Sequence, residues 1–156
     1  MQYIQAAIKN KTDDGCIFCT KPHANEDYKN FILMRDKTCF AMMNLFPYNA
    51  GHLMVAPYKH TAEMDDLTEA ELTDLMLLTR RCKHLLAAVI QPQAYNIGIN
   101  LGLTAGAGFA DHLHIHIVPR WNGDTNFMPV IGETKVIPEA LDALYQRLMA
   151  GLASCR

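Results

Sequence analysis

The run His112-Leu113-His114-Ile115-His116-Ile117-Val118 constrains this chain more than any other segment. In an extended strand, alternate side chains point to opposite faces, so this spacing lines three imidazoles along one face. Leu113, Ile115 and Ile117 then face a core. Packing alone does not ask for such a row, because histidine has middling burial preference and neighbouring imidazoles resist being charged together. The row suits metal binding, or proton and phosphoryl chemistry near neutral pH.

The rest of the chain supplies a frame for that strand. Short apolar runs predict strands at 31–34, 38–43, 52–56 and 95–101, with 112–118 as the fifth. Asp36-Lys37 turns the first into the second, and Phe46-Pro47-Tyr48-Asn49-Ala50-Gly51 forms a loop before the third. Thr68-Glu69-Ala70-Glu71 is a capping box that opens a helix. Leu72, Leu75, Met76, Cys82, Leu85, Leu86 and Val89 carry its apolar stripe down to Gln91-Pro92. Pro138 suits the first turn of a last helix over 138–152, and residues 1–15 read as a loose polar arm. One domain spanning 1–156 is expected, of α+β class, with a largely antiparallel sheet and two helices.

Composition excludes several functions. The formal net charge is −2 with a sequence pI of about 6.4, which argues against a general nucleic-acid or acidic-membrane surface. No stretch approaches the roughly 20 apolar residues of a membrane span, and Met1 to Ala6 lacks the apolar core of a signal peptide. Five cysteines, two of them in a C-x-x-C, fit a reducing cytoplasm better than a disulfide framework.

Two chemistries compete for the histidines. Histidines two apart on a strand sit roughly 7 Å apart, which is wide for three ligands on one ion. A neutral imidazole is, alternatively, a competent nucleophile that can form a covalent bond to phosphorus, with flanking histidines orienting it. The small-residue loop Gly102-Leu103-Thr104-Ala105-Gly106-Ala107-Gly108 just before the row favours a phosphate substrate, because exposed backbone N–H groups cradle phosphates. Cys16 and Cys19 have the spacing of a zinc pair, and with two imidazoles they would make a closed tetrahedral site.

His112-x-His114-x-His116-Ile117-Val118 resembles the signature of the histidine triad (HIT) family of nucleotide hydrolases and transferases. Cys16-Ile17-Phe18-Cys19, the segment Gly51 to His60, and Asn100-Leu101-Gly102 resemble further family motifs. Pro119-Arg120-Trp121-Asn122-Gly123-Asp124 and Ile131-Gly132-Glu133-Thr134-Lys135-Val136 are similar to a microbial branch associated with diadenosine tetraphosphate phosphorylase activity. The resemblance implies a five-stranded antiparallel sheet with two helices, paired as a homodimer.

It also implies roles. His114 would be the nucleophile that forms a nucleotidyl-histidine. His116, His112 and His52 would be its catalytic neighbours. Asn44 would bind ribose, and Asn100, Gly106 and Gly108 would serve the phosphates. Cys16, Cys19, His60 and His112 would hold a structural zinc, with no organic cofactor. Many members carry Gln where Gly108 stands, and the loop is one residue longer here. That departure fits inorganic phosphate as acceptor, with diadenosine tetraphosphate yielding ATP and ADP. The alternatives are a hydrolase of dinucleoside polyphosphates or nucleoside phosphoramidates, and a nucleotide-binding regulatory protein.

Overall fold

A computed structural model describes residues 15–124 and 139–154. The expected arm (apart from Gly15), the 131–136 motif and Pro138 lie outside them. Eight main elements follow in order: α1 (Ile17–His23), β1 (Ile32–Arg35), β2 (Cys39–Met43), β3 (Leu53–Pro57), α2 (Glu69–Ile90), β4 (Ala94–Ile99), β5 (Ile115–Arg120) and α3 (Leu141–Ser154). The five strands form one antiparallel sheet in the order β1-β2-β3-β5-β4. The α+β antiparallel fold is therefore as expected.

Both faces of the central strands are buried, and the two faces differ. Cys39, Ala41, Met43, Leu53, Val55, Leu113, Ile115 and Ile117 face α2 and α3 in the main core. Phe40, Met42, Met54 and Ala56 face the other way, against Cys16 and Phe18. This explains the uncharged, Met-rich β2, in which no residue meets solvent. α2 starts as the sequence predicts. The Thr68 side chain accepts from the Glu71 N–H, and the Glu71 carboxylate accepts from the Thr68 N–H.

Three differences from expectation have local causes. α1 is an additional helix, only seven residues long and with Pro22 inside it, too short to show a helical period. α3 begins at Leu141 rather than Pro138. β5 begins at Ile115, so His112 and His114 lie just before the regular strand. The β3–β5 ladder stops at Val55 opposite Ile115. Beyond it β3 offers Pro57, which has no N–H for a ladder. The freed Pro57 carbonyl instead accepts from His112 Nε2 at 3.0 Å, and the Leu113 N–H bonds to the Thr61 carbonyl. The chain stays extended enough that Leu113 joins the main core while the three histidines face away from it.

Candidate active site and metal centre

Fixed donors and acceptors set the tautomers of the histidines. A backbone N–H can only donate, so the Tyr48 N–H at 3.0 Å makes His52 Nδ1 an acceptor. The Asn44 amide agrees: its Oδ1 accepts from the Phe46 N–H at 2.9 Å, which turns Nδ2 toward the same His52 Nδ1 at 3.4 Å. The His52 proton is then on Nε2, which donates to His116 Nδ1 at 2.9 Å. That leaves His116 with its own proton on Nε2.

His114 is set the opposite way. Its Nδ1 lies 2.8 Å from the His112 carbonyl, which can only accept, so Nδ1 carries the proton and Nε2 keeps a lone pair. The His114 and His116 rings meet edge to face at 4.7 Å. One ring thus offers a nucleophilic nitrogen, and its neighbour offers a proton.

Burial keeps these rings neutral. His114 is 4% exposed, and burial lowers its pKa against the opposing pull of its bond to the His112 carbonyl. His116 is pushed down to about 4, first by burial and then by repulsion from His114. A neutral imidazole is the form that can attack phosphorus.

Aromatic rings wall the site. Phe18, fully buried, stacks on His114 with centroids 4.6 Å apart, and Phe109 meets Phe18 edge-on at 5.9 Å. Tyr48 lies over His52 at 4.6 Å and is stacked on His116 at 5.7 Å. Sequence reasoning missed both Phe18 and Tyr48 as site residues. The only signals were their positions, inside the C-x-x-C and four residues before His52.

The structure brings His112 to the cysteines. With Nε2–H donated to Pro57, His112 Nδ1 keeps a lone pair, which lies 3.3 Å from Cys16 Sγ and 3.6 Å from Cys19 Sγ. His60 Nδ1 is 3.2 Å from Cys19 Sγ and 3.2 Å from His112 Nδ1. All four ligand atoms fall within 4.8 Å of one another. A zinc with Zn–N near 2.0 Å and Zn–S near 2.3 Å spaces its tetrahedral ligands by about 3.3 to 3.8 Å. The donor set and its spacing therefore fit a closed two-sulfur, two-nitrogen site.

The remaining predicted residues are placed less tightly. The Asn44 side chain lies against His52 and the Phe46 N–H. Asn100 follows β4, half-buried. Gly102 and Gly106 bracket a short 3₁₀ turn, both at positive φ. Gly108 is exposed, and a Cβ there would meet nothing within 4 Å. Nearby, Phe40 is fully buried in the sheet, whereas Leu45 and Phe46 are exposed.

Residues 25–123 match the HIT domain. The chain belongs to the HIT family. It is similar to the AP-4-A phosphorylase of Mycobacterium tuberculosis, 46% identical over 115 residues, covering 74% of this chain and 59% of that protein. It is also similar to the asymmetrical bis(5'-nucleosyl)-tetraphosphatase of Schizosaccharomyces pombe, 38% identical over 93 residues, covering 60% of this chain and 50% of that one. The chain thus spans only half to three-fifths of the length of these two relatives. Among solved structures, a Zn-bound histidine triad family protein from Mycobacterium smegmatis shares the fold, with a TM-score of 0.74. It is 22% identical, and the match covers 92% of this chain and 97% of that one. Among the described residues, no helix of this HIT protein is long and apolar enough to cross a membrane.

Proposed function

We propose that this HIT protein transfers nucleotidyl groups through His114, and that its reaction is phosphorolysis of diadenosine tetraphosphate to ATP and ADP. The observation that carries the reading is the opposed pair of tautomers, a lone pair on His114 Nε2 beside a proton on His116 Nε2.

In this reading His114 Nε2 attacks the α-phosphorus. A P–N bond forms, the P–O bond to the rest of the dinucleotide breaks, and ATP leaves. The His116 Nε2–H bonds to a phosphate oxygen and supports the charge that develops there. Inorganic phosphate then attacks the adenylyl-histidine, its oxygen replaces the nitrogen, and ADP leaves with His114 restored. Asn44 and Tyr48 hold His52, and His52 holds His116. Asn100, Gly106 and Gly108 serve the phosphate chain, with Phe46 and Leu45 exposed beside the His52 loop for a base.

Cys16, Cys19, His60 and His112 would hold zinc, which would supply a structural tie with no open position for substrate. Among the described residues β4 is an outermost strand of the sheet, and with exposed Ile97, Leu101 and Leu103 it suits pairing with a second copy of the chain. Free Cys39 and Cys82, both buried in the core, suit the reducing cytoplasm.

The test incubates the protein with diadenosine tetraphosphate, with and without inorganic phosphate, beside His114→Ala. Phosphate-dependent ADP plus ATP, absent in the variant, supports the reading. AMP plus ATP without phosphate makes the protein a hydrolase, the activity named for the S. pombe relative. Turnover that survives in His114→Ala removes the covalent route altogether.

A further inference from the structure

The segment after β5, Trp121-Asn122-Gly123-Asp124, is not used by the reaction just described, yet it is tightly bonded to the loop that sets the histidines. The Asp124 carboxylate, with only 10% of its side chain exposed, accepts from Arg120 Nε at 2.6 Å and Nη2 at 2.7 Å. It also accepts from the Trp121 N–H at 3.0 Å and from Asn49 Nδ2 at 2.8 Å. Asn49 Nδ2 further donates to the Pro119 carbonyl at 3.0 Å.

Asn49 therefore pins the 48–52 loop to the exit of β5. Its own carbonyl accepts from the His52 N–H at 3.2 Å, and Tyr48, the adjacent residue, donates its N–H to His52 Nδ1. A continuous run of bonds leads from Asp124 through Asn49 to the Tyr48 N–H, then to His52 and His116.

We propose that Asn49 and Asp124 are positioning residues. They hold the Tyr48 N–H where it forces His52, and through it His116, into the Nε2–H tautomer. In aqueous imidazole the two tautomers differ little in energy, so one well-aimed N–H is enough to choose between them. Without the clamp the loop can shift, only the longer 3.4 Å contact from Asn44 Nδ2 still favours a bare Nδ1, and His52 can turn its proton there. His116 Nδ1 then loses its donor, and the proton leaves the nitrogen that faces substrate. The inference rests on the proposed role of His116 as proton donor.

The experiment is nitrogen–proton correlation spectroscopy of ¹⁵N-histidine-labelled full chain, which reads each imidazole tautomer directly, together with steady-state kinetics. In the wild type, His52 and His116 should show Nε2–H and His114 should show Nδ1–H. In Asn49→Ala and in Asp124→Asn, His52 and His116 should become tautomer mixtures while His114 is unchanged. The turnover number should fall about 10- to 100-fold, with KM within about twofold.

Gln93→Ala is the control. It removes the Gln93 Oε1 acceptor of the Asn122 N–H in the same corner without touching Asn49, and it should leave the tautomers alone. Unchanged tautomers in both clamp variants, or mixtures in Gln93→Ala as well, overturn the proposal. If one clamp variant does not fold, the other carries the test. A wild type with the expected tautomers but no turnover refutes the proposed reaction and leaves the clamp's hold on the tautomers standing.

Discussion

Replacing Gly51 with alanine should cost stability in an amount that its surroundings allow to be worked out. Gly51 has φ +76°, a left-handed conformation that costs an L-residue about 1 to 2 kcal/mol. A Cβ there would sit 2.5 Å from Ile90 Cδ1, 3.1 Å from Leu86 Cδ2 and 3.3 Å from Pro119 Cγ. Forcing a methyl into such a packed site costs about 1 to 3 kcal/mol more. Restricting the unfolded chain returns roughly 0.4 to 1 kcal/mol. The net loss is about 1 to 5 kcal/mol, or roughly 2 to 18 °C in Tm for a chain of this size.

Urea denaturation of Gly51→Ala, Ile90→Val and the double variant separates the two causes. Ile90→Val removes the very carbon that the new methyl meets, so the double variant should be more stable than the sum of singles by about 1 kcal/mol. The φ strain stays, so rescue should be partial. A Gly51→Ala loss below about 0.5 kcal/mol, or a coupling of zero, refutes the packing argument. Because Gly51 precedes His52, the single variant should also lose turnover beyond its effect on folding.

Other expectations follow from the same geometry. The His116 pKa is depressed to about 4 from 6.5, so its neutral form is favoured by folding. Its share of stability is present above pH 6.5 and lost as pH falls toward 4, up to about 3 kcal/mol; His116→Gln should flatten the wild-type slope in that window, and an unchanged slope refutes the assignment. Cys19→Ser should lose bound zinc measured by elemental analysis, and should lower stability by about 2 kcal/mol or more if the metal binds only the folded chain. Equal metal content in the variant refutes the ligand set. Gly108→Gln should fold as stably as the wild type, within about 0.5 kcal/mol, because the site is open. If the residue governs the acceptor, the variant should raise AMP relative to ADP among the products; an unchanged ratio removes Gly108 from that role.

Much of this was legible before any coordinates. The alternation of His112 to Ile117 placed three rings on one face and three aliphatic chains in the core, because period-2 patterning survives even where ladder bonding stops. The Thr68–Glu71 capping box fixed the start of α2, since both halves of that signal are local. α1 was illegible because seven residues hold too few turns to show a period. The tautomers were illegible for another reason. They depend on the Tyr48 N–H and the His112 carbonyl, backbone groups whose aim no residue type encodes. Asn49 and Asp124 lie 75 residues apart, and nothing in either segment alone announces the other.

The two readings of the histidine row, metal ligand and phosphorus nucleophile, need not be alternatives, because the row divides between them. His112 sits beyond the end of the β3–β5 ladder, where its ring is free to give Nε2–H to Pro57 and aim Nδ1 at the cysteines. Its carbonyl remains in place to hold the proton on His114 Nδ1. Phe18, between the two cysteines in sequence, stacks on the His114 ring and also touches His112 at 5.2 Å. A metal held by Cys16 and Cys19 would therefore also fix the wall against which the His114 ring rests. Under the proposed reaction, the wide spacing that argues against three histidines on one ion would let one residue anchor a metal while the next two share the work at phosphorus.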